Sequence, residues 1–165
     1  MKNSLGEHGL IRWLQISEYR YLKVTYESKV TWQANTDHLR CNPNFHKKPR
    51  YDCVIINTTI GIIFAKLIFI FTTKIDDTTH PWAFIQPYDS PIGGLTGKEK
   101  ELELFRVRAQ PRGSAEFVDA RSIIRGVLLV PTFEKEGDYF VFDVLDADLF
   151  LRMKELWKEG RDRQA

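Results

Sequence analysis

Four residues of the types that commonly ligate zinc, His38, Cys41, His46 and Cys53, fall within sixteen positions of this 165-residue chain. Two thiolates with two imidazoles make an ordinary structural zinc set. The spacing follows no finger pattern and contains no Cys-x-x-Cys knuckle, so no metal is assigned. Cys53 lies in an apolar stretch, where a thiol usually fills core space. Gly93-Gly94-Leu95-Thr96-Gly97-Lys98 suggests a phosphate loop. Ile92 stands where that pattern needs its first glycine, and Glu99 where it needs a hydroxyl, so an exposed loop is the better reading. No Gly-x-Ser-x-Gly occurs, and neither cysteine has an evident base nearby in sequence. Asp143, Asp146 and Asp148 cluster, but Asp146 reads as a helix N-cap and the others suit the positive end of that helix. These residues point to no catalytic centre and no cofactor.

Binding chemistry is better represented. Arg40, Lys47, Lys48 and Arg50 form a basic run with no acid between His38 and Tyr51, interleaved with Phe45 and His46. Arg106, Arg108, Arg112, Arg121 and Arg125 make a second basic region, diluted by Glu116 and Asp119. Arg106 and Arg108, two apart on a strand, share a face and could grip phosphates together. The net charge of +2 is too small for general attraction to nucleic acid, which leaves local patches. Trp82 and Tyr88, with Trp32 and Tyr139, sit near expected strand ends, where aromatic rings can line a cation–π pocket for a methylated lysine. The candidate binding residues are therefore Arg40, Lys47, Lys48, Arg50, Arg106, Arg108, Trp82 and Tyr88.

The elements that carry these residues are mostly strands. Ile62 to Phe71 is the most apolar run, rich in β-branched and aromatic residues. Ile63, Ala65, Leu67, Phe69 and Phe71 alternate with Ile62, Phe64, Ile68 and Ile70, so both faces must be covered, or the strand must bend around one core. Strands are also expected at Tyr19–Glu27, Tyr51–Asn57, Pro81–Tyr88, Ile123–Val130 and Tyr139–Leu145, with a brief extended piece at Ala115–Val118. A phase shift after Leu104 suggests a β-bulge at 104–105. Residues 28–50 read as a connection able to hold a short helix around Trp32–Leu39. Leu10, Ile11, Trp13, Leu14 and Ile16 suit a short helix or an extended arm across the core. A last helix is expected from Ala147 to about Lys158. Hydrophobic content of 43% and charge of 28% describe an ordinary globule. Met1-Lys2-Asn3-Ser4 leads into no apolar signal core, which favours an intracellular setting with free thiols, the nucleus among the compartments it allows.

The order Tyr51-Asp-Cys-Val-Ile-Ile-Asn57, Phe64–Phe71, Trp82-Ala-Phe-Ile-Gln-Pro-Tyr88, then Ala115–Phe117, Ser122–Val130 and Tyr139–Phe142 resembles a bromo-adjacent homology (BAH) domain over about residues 50–145. His38-Leu-Arg-Cys-Asn-Pro-Asn-Phe-His46, Arg50-Tyr-Asp-Cys-Val54, Phe105-Arg-Val-Arg-Ala109 and Ser122-Ile-Ile-Arg-Gly126 resemble fungal proteins associated with Kyakuja–Dileera–Zisupton-type mobile elements. These resemblances imply a domain that accompanies transposition machinery, with no catalytic residues to carry over.

The expected fold is mainly β: a small antiparallel SH3/BAH-like barrel with a C-terminal helix. Residues 1–49 form an arm, strand and connection, 50–158 the barrel and helix, and 159–165 a polar tail, one domain overall. The expected function is a non-catalytic binding module for a protein partner, chromatin or a transposon-encoded polypeptide. The alternative is nucleic-acid binding through the basic patches. No membrane association is expected.

Overall fold

The apolar run of the sixties forms β6 (Gly61–Ile75), paired along both edges. One edge carries β5 (Cys53–Thr58) and then, further along, β1 (Gln15–Tyr19); the other carries β7 (Thr78–Asp89). The computed structural model from which this follows describes residues 15–75, 77–89 and 97–162, with side chains at 100 and 160–162 set aside. The arm residues Leu10, Ile11, Trp13 and Leu14, and the loop residues 90–96, lie outside the described residues. Gly61 turns the chain from β5 into β6 at φ 127°, a conformation that an L side chain rarely adopts.

β6 is not a simple alternating strand. Leu67 faces Ile85, but the next pair is Phe69 with Phe84, so Ile68 has no opposite residue. This bulge shifts the phase by one. Ala65, Leu67 and Ile70 therefore share one face, while Ile62, Phe64, Lys66, Phe69 and Phe71 lie along the other. Strict alternation would have put Ile70 beside Phe64; the bulge instead buries it in the same cluster as Leu67.

The path through the larger sheet runs β10 (Ile123–Val127), β5, β6, β7, β8 (Arg106–Ala109), β12 (Asp138–Val141), β11 (Leu129–Pro131), with β9 (Glu116–Asp119) beside β7. All of its pairings are antiparallel. Only Leu128 separates β10 from β11, so one nearly continuous stretch supplies both ends of the path. A second sheet, β2 (Tyr21–Glu27), β3 (Ala34–Phe45) and β4 (Lys48–Tyr51), lays Val24, Leu39 and Cys41 over Val54, Ile56, Ala65, Leu67, Ile85 and their neighbours. The opposite face, with Ile55, Phe64, Tyr88, Val107 and Val141, is covered by Leu149 and Met153 of α2 (Ala147–Asp162). Both faces of the first half of β6 are thus packed, as its two-sided apolar pattern demands. Asp146 starts α2 as expected, accepting from the Leu149 N–H at 2.7 Å.

Three local expectations are corrected. The stretch expected to hold a helix around Trp32–Leu39 is mostly strand: a turn with Trp32 at φ 59° leads into β3, which pairs with β2 from Ala34 to Arg40. Cross-strand pairing overrides the helical pattern, and Asn42-Pro43-Asn44 is absorbed by a register shift before Phe45. Residues 104–105 belong to no strand. A short helix α1 (Gly97–Glu101) ends in a left-handed turn at Glu103, φ 50°, which produces the phase change read as a bulge. The last strand stops at Val141, and Asp143–Leu145 form a single 3-10 turn before α2. No helix among the described residues is long and apolar enough to cross a membrane.

Cys41 is buried under the second sheet, and burial pushes its thiol up to about 11. Burial also raises Cys53, whose Sγ lies 3.8 Å from the Tyr88 hydroxyl. Iodoacetamide at pH 8 is therefore expected to label both cysteines in urea and neither in the folded protein, as read by intact mass; rapid double labelling of the folded chain would contradict this burial.

Candidate functional site

Past the bulge of β6, the side chains of the outward face that begins under α2 belong to neither core cluster among the described residues. There β1, β6, β7 and β9 lie side by side, and cross-strand partners point the same way. β1 contributes Ile16, opposite Thr73; β6 contributes Phe69 and Phe71; β7 contributes Phe84 and Trp82; β9 contributes Phe117. The rings touch in sequence. Phe69 and Phe71 have centroids 5.5 Å apart, Phe71 meets Phe117 edge-on at 5.7 Å, and Phe117 meets Phe84 at 4.7 Å. Trp82 is oriented by its indole N–H, which donates to the Thr73 hydroxyl at 3.0 Å. Phe117 remains 61% exposed and Ile16 56% exposed. A band of large apolar side chains across four strands is the kind of surface that marks a binding site.

At one end this band meets a pocket of about 320 Å³ lined by Tyr51, Lys66, Ile68, Phe84, Gln86 and Arg112. The bulged Ile68 helps to form it. Gln86 is held by donating its amide N–H to the Gln110 carbonyl at 2.5 Å, and the Lys66 ammonium lies 5.5 Å from the Tyr51 ring centre. Of the carboxylates on the band, Glu18 faces Arg20 at 3.4 Å and Asp119 is gripped by Arg121 at 2.5 Å. The Arg121 hydrogen bonds hold Asp119 below the usual carboxylate range.

The residues singled out in the sequence are distributed differently. Arg40 and Arg50 converge on the Phe45 ring at 4.8 and 5.2 Å, and Arg50 also pairs with Asp52 at 2.9 Å. Lys47 and Lys48 lie at the β3–β4 turn, where Lys47 has φ 66°. Arg106 and Arg108 flank the buried Val107 on β8; Arg106 faces Glu99 at 3.3 Å, and Arg108 makes a two-pronged pair with Asp138 at 2.5 and 2.8 Å. The two basic groups thus stand on different sheets. Trp82 belongs to the exposed band. Tyr88 is buried in the helix-covered cluster and meets Tyr139 edge-on. His38, Cys41, His46 and Cys53 do not converge. Cys41 and Cys53 pack in opposite core clusters, and no metal-binding group of acidic, His or Cys side chains occurs among the described residues.

Sequence reasoning missed Ile16, Phe69, Phe71, Phe84, Phe117 and Lys66 as site residues, and it named Arg112 only as part of the second basic region. The available signal was the high phenylalanine content, 11 of 165 residues, with Phe117 alternating with the core-facing Val118 in a short strand bounded by Glu116 and Asp119.

A second pocket, about 400 Å³, brings His38, Asp37, Asp52, Cys53 and Arg125 to one wall. Its polar groups already have partners. His38 Nδ1 bonds the Tyr21 hydroxyl, Asp52 accepts from the Arg40 N–H, and Asp37 accepts from the Gly126 N–H at 2.9 Å. Gly126 fits here because a Cβ would meet Leu39 Cδ2 at 2.8 Å. Arg125, which lines the pocket and is 5% exposed, joins three elements. Its Nη1 donates to Asp148 at 2.7 Å and to Asp146 at 3.0 Å, and its Nη2 to Asp146 at 2.8 Å. Its Nε lies 3.4 Å from Asp37 without a hydrogen bond, and the Tyr26 ring covers the guanidinium at 4.5 Å. Arg152 and the Lys29 N–H complete the shell around Asp148.

These pairs set the acid sensitivity. Burial works against ionisation of Asp146 and Asp148, but hydrogen bonds from Arg125, Arg152 and backbone N–H groups outweigh it and lower both carboxyls. The Arg108 hydrogen bond lowers Asp138, and Asp119 is lowered likewise. Unfolded aspartates titrate near pH 4, so the unfolded chain takes up these protons first. The stability these four groups supply is present above about pH 4 and is lost as pH falls through their folded values. Asp143, raised by burial, acts in the opposite direction. Urea midpoints are expected to drop steeply below about pH 4; a flat profile would mean these pairs do not form in solution.

The chain matches no protein-family model, no curated protein and no solved structure.

Proposed function

We propose that this protein is a non-catalytic binding module that holds a protein partner on the open face of β1, β6, β7 and β9. The observation that carries this reading is the aromatic band, half-buried at Phe69, Phe71, Trp82 and Phe84 and exposed at Phe117, which lies outside both core clusters among the described residues. The connection of β10 to β11 through Leu128 supports reading the larger sheet as a closed, SH3/BAH-like barrel with this face on its outside. The sequence resemblance would place the partner in chromatin or in a transposon-encoded polypeptide.

Incorporating a photoreactive phenylalanine analogue at position 117 tests the reading in cells. Position 133 is the control, because Phe133 is 91% exposed in the turn between β11 and β12, neither of which contributes to the band. Cross-links to a discrete protein from 117 and not from 133 are expected. Equal labelling from both positions, or cross-links from 117 to nucleic acid alone, would overturn it.

A further inference from the structure

Resting on that reading, we infer that the face takes a peptide segment combining aromatic or branched aliphatic side chains with carboxylates, the carboxylates meeting Lys66 and Arg112. The apolar part follows from the band of Phe69, Phe71, Phe84, Phe117 and Ile16, and the pocket beside Phe84 has room for one large side chain. The acidic part follows from charge. Lys66 and Arg112 line that pocket, and among the described residues neither forms an ion pair with a carboxylate. The carboxylates on the band are already answered by Arg20 and Arg121. The exposed Glu116, next to the pocket-lining Ala115, offsets part of the Lys66 and Arg112 charge, so an incoming carboxylate meets two cations against one local acid and is favoured over a basic segment at that end. Single-stranded nucleic acid fits less well. It needs a cationic groove that tracks several phosphates beside its stacking rings, and this face offers two uncommitted cations at one end.

The test is a display library of random twelve-residue peptides, selected in parallel on the full chain and on its Phe117→Ser and Arg112→Gln variants. Both substituted side chains are exposed, and circular dichroism confirms that each variant keeps its fold. The full chain is expected to select peptides rich in Phe, Trp or Leu together with Asp or Glu. For a resynthesised peptide, F117S should weaken binding about tenfold or more. Exchanging the peptide's Glu for Gln should weaken it about three- to fivefold on the native chain, and that difference should shrink on R112Q, where only Lys66 remains. Peptides that are apolar without acids, or a Glu-to-Gln change without effect, would overturn the charge inference and leave the binding face standing. Selection of nothing that F117S loses would remove both, as would self-association of the chain abolished by F117S. Binding of a 20-nucleotide single strand lost in F117S would assign the face to nucleic acid instead.

Discussion

Arg125→Met is expected to lower the free energy of unfolding by about 3–5 kcal/mol, the largest polar effect in the molecule. The guanidinium is nearly sealed from water and answers Asp37, Asp146 and Asp148 at once. Methionine restores much of the volume but leaves Asp37 and Asp146 without their cation and Asp148 with Arg152 alone, and uncompensated charge is far costlier than a lost surface pair. The residue also ties β10 to β3 through Asp37 and to α2 through Asp146 and Asp148, so the loss should be cooperative. Urea denaturation at pH 7 measures it. The pH dependence separates charge from packing. Asp146 and Asp148 lie below the ordinary range in the native protein because of Arg125 and its neighbours, and without Arg125 they should rise. Acidification through about pH 4 then weakens the native protein more than the variant, so the gap between them narrows. A gap that stays constant would mean that Arg125 acts only as a space filler.

The second large effect contrasts two phenylalanines of the same sheet. Phe64→Ala should cost about 3–5 kcal/mol, because Phe64 is 2% exposed and packs beneath α2, with Phe105 at 5.4 Å and, beyond it, Trp157. Phe117→Ser should cost about 1 kcal/mol or less, since only edge and tilted ring contacts on an open face are lost. Chemical denaturation of both variants checks the pair. Were Phe117→Ser as damaging as Phe64→Ala, the aromatic band would be core rather than surface, and the proposed binding face would lose its basis.

Much of the architecture could be read from residue order. The β-branched and aromatic run around Phe64 demanded a strand covered on both faces, and the first half of β6 meets that demand. Asp146 caps the last helix, and the apolar side of that helix lies on the sheet. These features depend on local chemistry: side-chain shape, turn propensity and the spacing of apolar residues.

What sequence could not supply were decisions made between distant segments. The alternation of Arg106 and Arg108 is plain in the chain, but Glu99 and Asp138 meet them only because β8 lies beside β12 and near α1. The helix expected near Trp32–Leu39 gives way to β3 because β2 offers a complete ladder. The bulge at Ile68 decides most of all. It moves Phe69 and Phe71 off the face that holds Leu67 and onto a half-buried aromatic face, and no residue type in the run announces it. By itself the order of residues determined a strand-rich, antiparallel chain closed by a capped helix, because those outcomes are set by neighbours along the backbone. Which apolar side chains are covered and which are left bare was decided only by the tertiary structure, because coverage depends on where the helix and the second sheet end.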